Sequence, residues 1–137
     1  WRIVQDHIEK NLFFLATEFG IYTSLNGCEN WQKLNGTPNM GFRDLVIQKR
    51  ENDLVAASFG RGFYILDDYS PLRNFSNENL KSKGHLFPIK DGKWFIQRSN
   101  LGNTGADFYL AENPKYGVTM TYHLSNNYET KSDKRKN

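Results

Sequence analysis

The fold of this chain is decided by residues 12–24, LFFLATEFGIYTS, together with residues 53–66, DLVAASFGRGFYIL. Residues 2–17 align without a gap on residues 43–58 at a shift of 41, and the apolar residues at 13–16 fall on apolar residues at 54–57. One residue is then inserted in the second stretch, and the match resumes at a shift of 42, where Gly20 meets Gly62. The chain therefore contains an internal repeat, and the inserted residue lies just before that glycine.

Each copy of the repeat has the pattern of short β-strands joined by tight turns. The apolar runs are continuous rather than alternating, which is typical of strands that are covered on both faces. A period of roughly 40–45 residues built from such strands is that of one β-propeller blade. Because two blades cannot close a ring, we predict an all-β fold in which this chain supplies the last two blades of a multi-blade β-propeller. The remaining propeller blades of the same polypeptide are then its first partners.

The repeat ends inside the chain, and the pattern changes beyond it. No hairpin signal follows Asp67-Asp68 in the second copy, and Pro71 cannot sit within a sheet ladder. The propeller is therefore expected to end near Tyr69. The resulting division has two blades at 1–70 (repeat 1 about 1–41, repeat 2 about 42–70), a linker at 71–84, strands leading into a β-sandwich at 85–124 and a polar tail at 125–137.

The region 85–124 is expected to hold the opening strands of that sandwich. Strands are predicted at His85–Ile89 and Lys93–Arg98 around an Asp-Gly hairpin turn, and a second pair at Ala106–Ala111 and Gly117–Leu124. Apolar and polar residues alternate along 118–124, which predicts one buried and one solvated face.

Composition and charge exclude several classes of protein. No apolar run approaches the ~20 residues of a membrane-spanning helix. Much of the net charge of +3 sits in the tail, which argues against a nucleic-acid-binding surface on the body. Cys28 is the only cysteine, so neither an internal disulfide nor a CxxC metal pair can form. The three histidines lack ligand spacing, and no metal or other cofactor is expected. The chain starts at Trp1 without a leader, so we expect the natural N-terminus to lie upstream.

Residues 24–31, SLNGCENW, resemble the Asp-box, or bacterial neuraminidase repeat. That pattern has Ser or Thr first, Asp or Asn third, Gly fifth, Ser or Thr seventh and then an aromatic residue. Cys28 stands where Gly is usual, and Asn30 where a hydroxyl residue is usual. The dipeptide at 26–27, Asn-Gly, is also the strongest short hairpin signal, because both central positions of a type I′ turn have a positive φ.

The residues of this box that fit the pattern are assigned a structural role: Ser24, Asn26, Gly27 and Trp31. A Ser hydroxyl and an Asn side chain can bond main-chain N–H groups across a tight turn. Trp31 is expected to cover the hairpin with a large apolar surface. In the resembling families such boxes lie away from the ligand-binding face.

A wider resemblance covers most of the chain. Residues 16–22, followed by the box, look like a penultimate blade of large bacterial proteins related to sortilin propellers, and residues 60–68 with 70–73 look like the closing blade. Residues 86–88 and 112–117 resemble the segment that leads into a C-terminal β-sandwich in that group. The resemblance implies a secreted, periplasmic or cell-envelope protein that holds a peptide or glycan ligand in a central cavity.

Glu18 and Arg61 are the candidate ligand-binding residues. Both follow an apolar inner strand, in the loops where the two copies differ by one residue, and functional groups concentrate on such loops. Glu18 could serve as an acid, a base or a ligand contact. Arg61, held between two glycines, could bind a carboxylate or sugar hydroxyls as a planar fork. The structural alternative is that Glu18 pairs with a neighbouring strand and that Arg61 is only a turn residue.

The sequence shows no catalytic constellation. Asp67 and Asp68 are adjacent, so on a strand they would point to opposite faces and could not act as a glycosidase pair. We therefore expect a non-catalytic binding or scaffold module. The alternative is part of a glycoside hydrolase with a xyloglucanase- or sialidase-like propeller, whose catalytic acids lie outside these residues. Proteins of the resembling group are often labelled glycosyl hydrolases from their repeats alone.

Overall fold

Both copies of the repeat form antiparallel sheets in a computed structural model of the chain, which describes residues 1–75, 79, 81–96, 116–126, 128, 130–132 and 135. The first sheet has four strands in chain order: β1 (Arg2–Gln5), β2 (Phe13–Thr17), β3 (Gly20–Ser24) and β4 (Gln32–Lys33). The second sheet has three strands: β5 (Phe42–Gln48), β6 (Asp53–Ser58) and β7 (Phe63–Leu66).

The chain beyond the second sheet contributes a short helix and a third sheet. A 3₁₀ helix spans Ser70–Asn74, and a third sheet joins β8 (Gly84–Leu86) to β9 (Tyr122–Leu124). No helix as long as seven residues occurs in the described part of the chain, so the prediction of an all-β fold is confirmed. Within the same residues no helix is long and apolar enough to cross a membrane.

One apolar core lies between the first and second sheets. Its buried members come from both copies of the repeat: Leu12, Phe14, Ala16, Ile21, Phe42, Leu45, Leu54, Ala56 and Tyr69. The rings of Phe14 and Tyr69 meet edge to face with centroids 5.0 Å apart, and those of Phe42 and Tyr64 meet in the same way at 5.4 Å. Aromatic pairs favour this arrangement, so the core is packed as well as apolar.

The first sheet presents one face of β2 to this core and leaves the other face open. Leu12, Phe14 and Ala16 are fully buried. Phe13 and Leu15 are only half-buried, because successive side chains on a strand point to opposite faces. We expected both faces of β2 to be covered, but only the face that carries Phe14 and Ala16 is fully buried.

The second sheet buries the repeat positions that point away from the core in the first sheet. Leu54 and Ala56 are 2% and 1% exposed and belong to the core, whereas Val55 and Ala57 point away from the first sheet. At the shift of 41 that defines the repeat, the buried positions of β2 fall on the outward positions of β6. The outward positions of β2 likewise fall on the buried positions of β6.

The third strands of the two sheets show the same inversion. Ile21 in β3 is 3% exposed, and its counterpart Phe63 in β7 is 76% exposed. Two copies that touch through different faces make a heterologous contact, which either closes into a ring or continues as an array. The second sheet therefore leaves uncovered the face that the first sheet buries. We call this surface the open face, and its apolar residues are Val46, Val55, Ala57, Phe63 and Ile65.

Beyond the second sheet the strand pairing differs from the prediction. β8 pairs with β9, so His85 lies opposite His123, and no strand forms in the described segment 87–96. The predicted hairpin at 91–92 is therefore wrong. A Cβ added to Gly92 would lie 2.6 Å from Cγ2 of Val118, which shows that this dipeptide packs tightly against the chain that leads into β9.

The structure describes only one of the last two predicted strands. Ala106–Ala111 lies outside the described residues, and within Gly117–Leu124 only the final three residues form a strand. The predicted buried face is wrong, because all four of its apolar side chains are exposed: Val118, Met120, Tyr122 and Leu124. The alternating pattern is therefore not matched by a covering layer in the part of the chain that the structure describes.

Glu51, in the turn between β5 and β6, anchors the segment that follows β8. Its carboxylate accepts hydrogen bonds from Nζ of Lys90 and from Nζ of Lys93, the latter at 2.8 Å. Its main-chain oxygen accepts a further one from Lys90 at 3.0 Å. The hydrogen bonds from Lys90 and then Lys93 lower the pKa of Glu51 to about 2. The anchor is thus fully present above the unfolded-state pKa of about 4.3 and is lost as the pH falls toward 2.

Glu51→Gln is expected to release this segment, because it removes the charge on which both lysines depend. Limited proteolysis with trypsin should then cut faster after Lys90 and Lys93 in the variant than in the wild type. Salt at about 1 M should speed the same cuts in the wild type, since it screens exposed pairs. Glu29→Gln, a change of an exposed carboxylate in another loop, is the control. Equal cleavage rates in the wild type and Glu51→Gln would show that Glu51 does not anchor this segment.

Candidate functional site

Glu18 and Arg61 lie on equivalent turns of the two sheets. In the β2–β3 turn the hydroxyl of Thr17 donates a hydrogen bond to the main-chain oxygen of Gly20 at 2.9 Å. In the β6–β7 turn the hydroxyl of Ser58 donates to the oxygen of Gly62 at 2.7 Å. The repeat therefore preserves the base of the turn, and the inserted residue enlarges only its tip.

Arg61 occupies the tip of the larger turn. Gly60 and Gly62, on either side of it, both have φ of +78°. This left-handed conformation costs glycine little and strains other residues. The two glycines therefore let the chain fold back sharply, and the Arg61 side chain is left exposed between them.

The two turns meet at Gly41, just before β5. The main-chain N–H of Phe59 donates to the oxygen of Gly41 at 2.8 Å. A Cβ placed on Gly41 would lie 3.9 Å from Cβ of Phe59 and 4.0 Å from Cα of Glu18. The structure thus brings the turns that carry the two predicted binding residues to one end of the paired sheets.

Neither candidate side chain is used to hold the fold together. Glu18 and Arg61 are exposed, and neither forms a side-chain hydrogen bond or an ion pair with the described residues. The expected alternative, in which Glu18 pairs with a neighbouring strand, is therefore not seen within them. A carboxylate and a guanidinium that are both free of partners can bind hydroxyls or charged groups of a ligand.

Exposed aromatic rings surround this end of the sheets. The guanidinium of Arg43 lies 4.8 Å from the ring centroid of Trp1 and 5.0 Å from that of Phe59. Trp1, Phe19 and Phe59 are 59%, 63% and 70% exposed, so their rings remain open to a ligand. Sequence reasoning missed these rings, although Phe19 and Phe59 stand beside the two candidates in equivalent turns. We call Glu18, Arg61 and these four residues the turn-end surface.

The Asp-box residues lie at the other end of the first sheet. Ser24 Oγ accepts a hydrogen bond from the N–H of Cys28, and Asn26 Oδ1 accepts one from the N–H of Asn30, both at 3.0 Å. These are main-chain bonds of the kind that the structural role requires. The prediction of a type I′ turn at Asn26-Gly27 is wrong, since the positive φ values fall on Gly27 and Cys28. The side-chain bonds close a loop of seven residues, 24–30. Within it Cys28 adopts the left-handed conformation at the position where the Asp-box pattern usually has Gly.

Trp31 is half-buried at the end of that loop. It precedes β4 directly, so its ring lies where the chain returns to the sheet. This placement gives it no access to the turn-end surface, which lies at the opposite ends of β2 and β3.

A buried ion pair also lies at this far end of the sheets. The side chain of Asp6 is fully buried, and Nε and Nη2 of Arg73 donate to its two oxygens at 2.7 and 2.9 Å. The hydroxyl of Tyr69 donates to Asp6 Oδ1 at 2.6 Å, and the N–H of Glu9 donates to Oδ2 at 2.8 Å. Arg73 also donates to Oδ1 of Asn52 at 2.7 Å. The network ties the first sheet to the helix after the second.

The charges of this network are set by its own hydrogen bonds. Burial alone raises the pKa of Asp6, but the hydrogen bonds from Arg73 and Tyr69 outweigh it and hold that pKa well below its usual range. Burial and the Asp6 carboxylate raise the pKa of Tyr69. No buried side-chain polar atom in the described residues lacks a partner. Because the buried polar atoms of the network find their partners inside the protein, we assign it a structural role.

The other acidic side chains of the described residues form neither a catalytic pair nor a metal site. Asp68 Oδ1 accepts from the hydroxyl and the N–H of Ser70, at 2.6 and 3.3 Å, so it supports the start of the 3₁₀ helix. No three His, Cys, Asp or Glu side chains gather within the described ranges in a way that could hold a metal ion.

No family model matches the chain, and neither a curated protein nor a solved structure matches it significantly.

Proposed function

We propose that this chain is the closing part of a larger β-propeller of the sortilin-like, Asp-box type, and that the whole protein is a non-catalytic binding or scaffold module for a peptide or glycan. One observation carries the proposal: equivalent residues in the second and third strands of the two copies face opposite ways across the contact between the sheets. A self-contained pair of sheets would bury matching faces. The inversion instead calls for further sheets on both sides, as in a ring.

The free edge of β7 supports the same architecture. In the first sheet the third strand is followed by β4, with Tyr22 paired to Lys33. The counterpart of Tyr22 is Tyr64 in β7, and no fourth strand pairs with β7 in the described residues. A cleft of about 230 Å³ lies beside this edge, and its apolar lining includes Leu34, Tyr64 and Leu66. We expect a strand from elsewhere in the polypeptide to pair here and cover the edge.

The turn-end surface supports a binding role. It presents a carboxylate, two guanidinium groups and three exposed rings at one end of the two sheets, without the paired acids that glycoside hydrolysis requires. The resemblance of residues 24–31 to the Asp-box supports a secreted, periplasmic or cell-envelope location.

The test uses the complete protein on glycan and peptide arrays, with affinities measured for the ligands found. Glu18→Gln and Arg61→Gln are each expected to weaken binding by about 10- to 100-fold, the effect of losing one charge-assisted hydrogen bond. Glu29→Gln, at the far end of the first sheet, should leave affinity unchanged. Cleavage of a glycoside by the complete protein, abolished by mutation of an acid pair upstream, would contradict the non-catalytic role.

A further inference from the structure

The chain contains two Asn-Gly dipeptides in different surroundings, Asn26-Gly27 and Asn35-Gly36. In such a pair the main-chain nitrogen of glycine can attack Cγ of the asparagine side chain. A C–N bond forms, the side-chain amide leaves as ammonia, and the product is a five-membered succinimide. Water then opens the ring to aspartate or isoaspartate. Glycine favours this reaction because it has no side chain to restrict the main chain.

Hydrogen bonds restrain both reacting groups of the first dipeptide. Asn26 Oδ1 accepts hydrogen bonds from Ser24 Oγ and from the N–H of Asn30, both at 3.0 Å. The attacking group is held as well, since the N–H of Gly27 donates to the main-chain oxygen of Asn11 at 2.9 Å. The bond of the Gly27 N–H has to break before this nitrogen can attack, and the two bonds to Asn26 Oδ1 restrict the movement that would bring Cγ to it.

The second dipeptide has none of these constraints. Asn35 and Gly36 are exposed, and neither the Asn35 side chain nor the N–H of Gly36 forms a hydrogen bond with the described residues. A Cβ added to Gly36 would meet no atom within 4 Å, so no neighbouring group packs against this side of the glycine. Thr37 Oγ1 donates to the oxygen of Leu34 at 2.7 Å, which closes the loop without touching the reacting atoms.

We propose that Asn35 is a site of spontaneous conversion to aspartate and isoaspartate in the folded protein, and that Asn26 is protected. The product adds a negative charge to the loop, and isoaspartate also lengthens the main chain there. Asn35 and Gly36 border the cleft beside β7, so the change occurs at the rim of the surface where a further strand is expected to dock. The reaction needs only water and does not depend on the proposed function.

The experiment incubates the folded protein at mildly alkaline pH and follows both dipeptides by peptide mapping with mass spectrometry. Isoaspartate is detected separately by enzymatic methyl transfer to its carboxyl group. We expect conversion at Asn35 to be more than about tenfold faster than at Asn26, because each hydrogen bond that must first break slows the reaction severalfold. Asn35→Gln should abolish the fast phase.

Two further measurements make the comparison decisive. In concentrated urea the two dipeptides should react at similar rates, because the folded-state bonds at Asn26 are gone. Ser24→Ala, which removes one of those bonds, should raise the rate at Asn26 in the folded protein and leave Asn35 unaffected. Equal rates at the two sites in the folded protein, or conversion of Asn35 only after unfolding, would overturn the proposal.

Discussion

Asp6→Ala is expected to destabilise the protein by about 3–5 kcal/mol, the usual cost of removing one partner of a buried ion pair. The change leaves the guanidinium of Arg73 and the hydroxyl of Tyr69 inside the protein without their acceptor. Since domains are stable by only about 5–15 kcal/mol, this loss removes a large part of the folding free energy. Denaturant unfolding of wild type and variant measures it.

A matched control exists in the same chain. Asp44 pairs with Arg2 at 3.4 Å, and both side chains are well over half exposed, at 57% and 59%. Asp44→Ala is therefore expected to change stability by no more than about 1 kcal/mol, as is usual for exposed pairs. A similar cost for Asp6→Ala and Asp44→Ala would mean that the buried network does not hold the two sheets together.

The same network predicts how stability depends on pH. The folded-state pKa of Asp6 lies below its unfolded-state value of about 3.9. Its contribution is therefore fully present above that value and is lost as the pH falls through it toward the folded-state pKa. Asp6→Asn should flatten this acid-side slope.

The parts of the fold that sequence reasoning predicted are local. The runs at 12–16 and 54–57, the glycines that end each turn and the bonds made by Ser24 and Asn26 all follow from neighbours within a few residues. The turns that carry Glu18 and Arg61 were found because the inserted residue marks them in the repeat.

The features that sequence reasoning missed depend on residues that are far apart in the chain. Asp6 and Arg73 are 67 residues apart, and nothing near either one identifies the other. The pairing of β8 with β9 joins residues 84–86 to residues 122–124, whereas the Asp-Gly dipeptide at 91–92 is a signal only for a turn between neighbouring segments. The stacking of Arg43 between Trp1 and Phe59 likewise needs three separate segments to meet.

Phe63→Thr is expected to have little effect on the stability of this chain alone and a large effect in a closed ring of the kind proposed. In the chain of 137 residues, Phe63 is exposed on the open face, so the change should alter stability by no more than about 0.5 kcal/mol. It should also reduce self-association, because exposed apolar sheet faces and strand edges promote aggregation. Without the change we expect the isolated chain to be poorly soluble.

Ile21→Thr is the matched variant, because Ile21 is the counterpart of Phe63 in the first copy. Its side chain is 3% exposed, and placing a hydroxyl there while removing apolar volume should cost about 2–4 kcal/mol in the isolated chain. In a closed ring the next sheet covers Phe63 as the second sheet covers Ile21. Phe63→Thr should then destabilise the complete protein by a similar amount. A monomeric isolated chain that melts sharply and reversibly, together with a complete protein that tolerates Phe63→Thr, would show that the two sheets need no neighbours.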